Sequence, residues 1–200
     1  TDSAVAGLAA GEAVDLGADA AEIFALYDWL DDSTSGAVNP LVGQSLEHLG
    51  YDREYGLQPG KGFVPAPPWS TLRRVGSTVS ADQPVVLDIG AVGKGFLVDL
   101  VANLLVERLG AAVVNAGGDI ANRSGEPISV ALEHPNNPDL AIGVVAVANG
   151  QALCGSATNR RTWADGLHHV LDARTGRPAE SVAATWALGP SAAKCDALST

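Results

Sequence analysis

Val85-Val86-Leu87-Asp88-Ile89-Gly90-Ala91-Val92-Gly93-Lys94-Gly95 constrains this chain more than any other stretch, because three apolar residues run straight into a turn marked by glycines. Val, Val and Leu predict a buried strand, and the glycines let the backbone reverse where a side chain would clash. A helix is predicted at once: Phe96, Leu97, Leu100, Val101, Leu104, Leu105 and Leu109 recur at three- and four-residue steps. Asp99, Glu107 and Arg108 face elsewhere, and Gly110 is a natural stop. Unpaired N–H groups at such a helix start attract anions, each exposed charge contact being worth about 0.3–1 kcal/mol. Lys94 adds a full positive charge, so the segment is a place to hold phosphate. A Walker A loop would need a glycine at position 88 and a hydroxyl residue at position 95, where this chain has Asp88 and Gly95. That argues against a nucleoside triphosphatase, and the same glycines also suit a turn that serves packing alone.

With 200 residues, 46% hydrophobic and 18% charged, the chain can build one well-formed core, and a single domain over residues 1–200 is the simplest organisation. Its net charge of −11 opposes binding to nucleic acid or to an anionic membrane, so a phosphate ligand has to be held locally. No apolar run reaches the length of a spanning helix, and no basic segment followed by an apolar stretch opens the chain. The chain as it stands therefore favours the cytoplasm, an exported or anchored form remaining open if a leader has been removed. Cys154 and Cys195 lack metal-type spacing and are expected to be buried thiols.

Residues 18–32 predict a helix carrying Ile23, Phe24, Leu26, Tyr27, Trp29 and Leu30. Asn39-Pro40 predicts a second helix start, cap followed by proline, with Leu41, Val42, Leu46 and Leu49 as its apolar face and Gly50 as its stop. Pro65, Pro67 and Pro68 make residues 51–70 an irregular connection, expected to be flexible. Strands are expected near residues 111–114, 128–133, 142–148, 167–171 and 183–188, with a turn at 134–138, which makes the class mixed α and β.

Three constellations remain. Asn115-Ala116-Gly117-Gly118-Asp119 sets an amide, two permissive glycines and a carboxylate at a strand end, suited to a polar ligand and equally common as a plain turn. His168-His169 places two imidazoles on opposite faces of a strand, so only one can look into a cleft. Asp172 to Gly176 then reads as a turn closed by the Asp172 carboxylate. Asp196 and Thr200, four apart, share one helix face and present two hard oxygens. Mg²⁺ commonly takes one or two protein oxygens plus waters and substrate phosphate, so such a pair suffices where a diphosphate completes the shell.

Taken together these segments resemble the ApbE family, the FAD:protein FMN transferases. Residues 88–95 look like its Asp-Leu-Gly-Gly-Ile-Ala-Lys-Gly segment, and residues 115–120 like its Asn-Ala-Gly-Gly-Asp-Ile turn. Residues 168–178 are similar to its His-His-Ile-Ile-Asp-Pro-Arg-Thr-Gly-x-Pro stretch, residues 154–161 to its Ser-Gly-x-x-x-Arg approach, and residues 196–200 to its Asp-Ala-Leu-Ala-Thr motif. A weaker match covers residues 36–50. The resemblance implies a T-fold-like α/β domain that takes FAD as substrate with its diphosphate near Mg²⁺. It implies that the Ala91 carbonyl, the Asp196 carboxylate and the Thr200 hydroxyl hold the metal, that Lys94 steadies the diphosphate, and that Asn115, Gly117, Gly118 and Asp119 line the nucleotide. The implied reaction is attack by a threonine hydroxyl of a partner flavoprotein on the FMN-side phosphorus, with release of AMP; His169 is then the base and flavin-site residue, and Asp172 orients its loop. The family's early Phe-Ser and Ser-Arg-Leu-Asn segments are not visible here, which implies a domain shortened at both ends. An FAD pyrophosphatase and a non-catalytic flavin-binding member are the alternatives.

Overall fold

A computed structural model of the chain describes residues 5–200. They form two compact units, one made of residues 5–90 with Arg161–Ala179, the other of Ala91–Arg160 with Glu180–Thr200.

The first unit holds helices α1 (Ala6–Ala9), α2 (Ala20–Thr34) and α3 (Gly43–His48). The predicted helix over 18–32 is α2, shifted by two residues; it buries Ala20, Phe24, Tyr27 and Leu30 and ends where Ser35 turns left-handed at φ 53°. Asn39 caps as expected: its Oδ1 accepts the Leu41 N–H at 2.9 Å, and Pro40 opens a 3₁₀ turn, Pro40–Val42, that leads into α3. The Asn39 amide also donates to the Pro67 carbonyl at 2.8 Å, so one side chain starts a helix and fastens the proline-rich connection to it. Asn39→Ala removes both bonds and is expected to cost about 1–2 kcal/mol, read as a lower urea midpoint. An unchanged midpoint would contradict this. The connection is irregular up to the turn Trp69–Thr71, where the Trp69 indole donates to Asp28 Oδ1 at 2.7 Å and the Arg74 guanidinium, paired with Asp28, lies 4.9 Å over the indole ring.

Two expectations fail in this unit. Residues 85–87 bury Val85 and Leu87 but, among the described residues, join no sheet. Their neighbours are not strands: the Val85 N–H donates to the Leu8 carbonyl just after α1's middle, and the Asp88 N–H to the Pro40 carbonyl ahead of α3. The predicted strand over 167–171 is split into Leu167–His168, paired with Thr162–Trp163, and Leu171–Asp172, paired with Arg177–Pro178. A further small antiparallel sheet joins Val14–Asp15, Thr78–Ser80 and Arg73–Val75 in that order.

The second unit is an antiparallel sheet with strand order Ala184–Gly189, Ala152–Ala157, Ile120–Arg123 and Ala112–Asn115. Helices α4 (Gly93–Leu109) and α5 (Ala192–Ser199) pack against it side by side. The core between them consists of small side chains: Val98, Ala102, Ala121, Ala152, Cys154, Ala192 and Cys195. Small residues bring the helices close. A Cβ on Gly95 would sit 2.6 Å from the Asp196 Cβ and nearer still to the Ala192 carbonyl oxygen, so only glycine fits this crossing. The helix itself is where the periodicity put it, but its buried face is not. Phe96 is buried, yet Leu97, Leu100, Leu104 and Leu109 are exposed, and Gly95, Val98 and Ala102 meet α5 and the sheet instead. Asp99 does not face away either: its Oδ2 accepts the Ser191 hydroxyl at 2.9 Å and the Ala193 N–H at 3.0 Å, anchoring the start of α5. Ile128–His134 and Asn137–Val147 form a separate hairpin across a tight turn at Pro135 and Asn136. Both cysteines are free and buried, as expected.

Candidate functional site

The second unit gathers Lys94, Asp119 and Asp196 from three parts of the chain. Lys94 is the second residue of α4, a helix whose Val92 cap contributes no side-chain bond and whose first turn has no acidic residue. Asp119 stands at the end of the Asn115 turn, directly before the Ile120–Arg123 strand. In that turn the Asn115 Oδ1 accepts the Gly118 N–H at 3.2 Å and the Ala116 N–H donates to the Asp119 carbonyl at 2.9 Å. Gly117 and Gly118 adopt φ of 69° and 109°, which side-chain-bearing residues rarely do. Asn115, Gly117 and Gly118 are exposed, whereas Asp119 is fully buried.

The Lys94 ammonium is paired with Asp119 Oδ2 and lies 3.6 Å from Asp196 Oδ1. The other oxygen of Asp196 accepts the Gly95 N–H at 2.9 Å, satisfying one of the open N–H groups of α4. Asp119 Oδ1 is buried and has no hydrogen-bond partner among the described residues. Burial pushes the Asp196 carboxyl up to about 6, the charge of Asp119 adding to it while the Gly95 N–H and Lys94 hold it down. Burial pulls Lys94 the other way, but the Asp119 hydrogen bond and the charges of Asp196 and Asp119 outweigh it and keep the ammonium above its ordinary range. Burial, with Asp119 and Asp196 nearby, holds the Cys154 thiol far above its usual range, and burial lifts Cys195 to about 11. Both thiols stay protonated and unreactive at neutral pH.

Ala91 lies in the turn leading into α4, and Thr200 directly follows α5. The Thr200 hydroxyl donates to the Asp196 carbonyl at 3.2 Å and comes within 3.5 Å of the Ser156 hydroxyl, which is 3.4 Å from that of Ser199. Ser156 lies within the 154–161 segment, but nothing in that segment places its hydroxyl here; it belongs to the Ala152–Ala157 strand, which packs against α5. Among the described residues no three His, Cys, Asp or Glu side chains gather as a metal cluster. The donor chemistry still suits a hard cation: two buried carboxylates, one with an unpartnered oxygen, with the Ser156, Ser199 and Thr200 hydroxyls around the Asp196 end of α5.

His169 and Asp172 belong to the first unit. His168 is the buried member of the histidine pair and His169 is half-buried, in a bend after the short strand. Asp172 closes the turn as expected: its carbonyl accepts the Thr175 and Gly176 N–H groups, and its carboxylate accepts the Arg174 N–H and guanidinium at 2.6–3.0 Å. The Arg174 hydrogen bond holds that carboxyl below the usual range against the opposing effect of burial. The same unit has a cavity of about 450 Å³ lined by Asp31, Ser35, Asn39, Trp69, Ala173 and Arg174 among others.

The family model described as ApbE family matches residues 1–200. The chain belongs to the ApbE family. A Rhodobacter capsulatus protein named FAD:protein FMN transferase is 29% identical over 214 residues, covering 100% of this chain and 41% of that protein. One of the same name from Escherichia coli (strain K12) is 32% identical over 123 residues, 57% of this chain and 35% of its own length. This ApbE-family chain thus spans about two fifths or less of these relatives. In fold it is similar to the ApbE protein of Thermotoga maritima, with a TM-score of 0.82 at 24% identity over 100% of this chain and 71% of that one. It is also similar to the apo form of the Pseudomonas stutzeri flavinyl transferase ApbE, with a TM-score of 0.78 at 23% identity over 99% and 67%. The expected mixed α/β class and family are thereby found.

Proposed function

We propose that this chain is a magnesium-dependent FAD:protein FMN transferase, moving FMN from FAD to a threonine hydroxyl of a partner flavoprotein with release of AMP. The observation that carries the reading is Lys94, bound by Asp119 and near Asp196 at the start of α4, in a chain of the ApbE family. The Ala91 carbonyl, the Asp196 carboxylate and the Thr200 hydroxyl would hold Mg²⁺, which supplies charge that offsets the diphosphate oxygens.

The rest of the work falls to the chain's own residues. Lys94 and the N-terminal N–H groups of α4 bind the diphosphate, and the turn carrying Asn115, Gly117, Gly118 and Asp119 lines the nucleotide. The threonine oxygen of the acceptor attacks the FMN-side phosphorus, and His169 accepts the hydroxyl proton. The bond from that phosphorus to the bridging oxygen breaks, and AMP leaves with that oxygen. Asp172, tied to Arg174 and to its own turn, fixes the segment that carries His169.

Incubation with FAD, Mg²⁺ and a threonine-bearing acceptor flavoprotein, followed by mass spectrometry, tests this. The expected products are FMN esterified to threonine and one AMP per FMN. Free FMN and AMP with an unmodified acceptor would make the chain an FAD hydrolase, and neither product would overturn any catalytic reading.

A further inference from the structure

The Lys94 cluster does not balance in charge. One ammonium faces two carboxylates, both almost wholly withdrawn from water, with Asp119 0% and Asp196 1% exposed. Asp196 spends one oxygen on the Gly95 N–H, but Asp119 Oδ1 meets no N–H or O–H donor among the described residues, only the weakly donating Cys154 thiol lying beside that carboxylate. A buried acceptor left open costs about 1–3 kcal/mol, more when it is charged. A diphosphate arriving at this cluster meets an excess negative charge, and like charges 4 Å apart near a protein surface repel by about 4 kcal/mol. Lys94 cannot offset that repulsion, because both carboxylates already engage it.

We propose that Asp119 is a cation-binding residue, its Oδ1 accepting a divalent cation or one of that cation's waters, and that the cation must bind before the diphosphate does. The proposal rests on the reading that a cation and a diphosphate meet at this cluster, and adds a role for Asp119 and an order of events. With the cation in place the cluster turns net positive. Lys94 is then released in part from Asp119 and can face phosphate.

Two titrations test it without reading FMN transfer. Mn²⁺ alone, followed by the loss of its free electron-paramagnetic signal, is expected to bind the chain with no nucleotide present, and Asp119→Asn is expected to weaken it by about tenfold or more. ADP, the diphosphate probe, is expected to bind Asp119→Asn more tightly than the unaltered chain when EDTA removes all metal, because one negative charge is gone. Mn²⁺ binding that requires ADP, or equal Mn²⁺ affinity in both proteins, would overturn the proposal. If Asp119→Asn fails to fold by circular dichroism, Lys94→Gln makes the opposite change: tighter Mn²⁺ and weaker metal-free ADP support the proposal, and no change in either overturns it. A chain that passes these titrations yet forms no FMN adduct would refute the transferase reading and leave the binding order standing.

Discussion

Asp196→Ala is expected to reduce metal-dependent turnover by about 10²–10³-fold or more, the usual scale for removing a group that stabilises developing charge. The carboxylate serves three partners at once: the cation in the proposed site, the Gly95 N–H and the Lys94 ammonium. Alanine also strands the Gly95 N–H, so some loss of stability accompanies the loss of rate, on the order of 1–3 kcal/mol. Asp196→Asn separates the two effects. Its amide oxygen still accepts from Gly95, so stability should stay closer to that of the unaltered chain while turnover falls as far. Initial rates across a Mg²⁺ series, with melting curves alongside, check both. Unchanged turnover at limiting Mg²⁺ would remove Asp196 from the ligand set.

Gly95→Ala is expected to have the largest effect on structure. The added methyl would fall 2.6 Å from the Asp196 Cβ and against the Ala192 carbonyl, and neither can swing aside as a flexible side chain could. Overpacking of this kind costs about 1–3 kcal/mol and sometimes more. Relief requires α5 to move, and α5 carries Asp196. Stability and Mg²⁺-dependent turnover should therefore fall together. Gly143→Ala is the control, since nothing lies within 4 Å of its added methyl and its backbone is not left-handed; it should leave both unchanged. A Gly95→Ala protein with an unaltered denaturation midpoint would show that the two helices are not held at this spacing.

Local signals in the sequence located elements well and faces poorly. α2 to within two residues, the Asn39-Pro40 cap and a turn near Pro135 are legible, because capping and proline act within a few residues; the second hairpin strand starts at Asn137, five residues before the expected 142, so residues 137 and 138 of the expected turn belong to it. The strands Ile120–Arg123 and Ala152–Ala157 were not legible. Rich in Ala, Asn, Gly, Ser and Cys, they have little intrinsic strand preference; neighbouring strands pair with them along the backbone, and their small side chains share one core with α4 and α5. The same closeness reverses the expected face of α4. A helix that crosses its neighbour at a glycine buries Gly95, Val98 and Ala102 and leaves Leu97, Leu100, Leu104 and Leu109 outside, contrary to a hydrophobicity pattern read alone. Residues 85–87 show the converse: burial was correctly read, but whether a buried run joins a ladder depends on which backbone lies alongside, here Leu8 and Pro40.

The candidate site was legible as parts and not as a geometry. Lys94, Asp119 and Asp196 each stood out by motif, yet the ion pairs of Lys94 span 25 and 102 positions, and no periodicity reports a contact over such separations. Asp119 in particular reads as lining the nucleotide, with nothing in the turn to show that its carboxylate is buried against a lysine. The histidine pair was assigned to opposite faces of one strand, whereas the chain breaks that strand after His168 and buries His168 more deeply than His169.

Crystals soaked with Mn²⁺ and FAD, with data collected at the manganese absorption edge, show where the cation sits relative to Asp196 and the diphosphate. A single anomalous peak within coordination distance of the Asp196 carboxylate, with the FAD diphosphate beside it and Lys94 turned toward a phosphate oxygen, is expected. A peak remote from Asp196, or a diphosphate bound away from the start of α4, would contradict it.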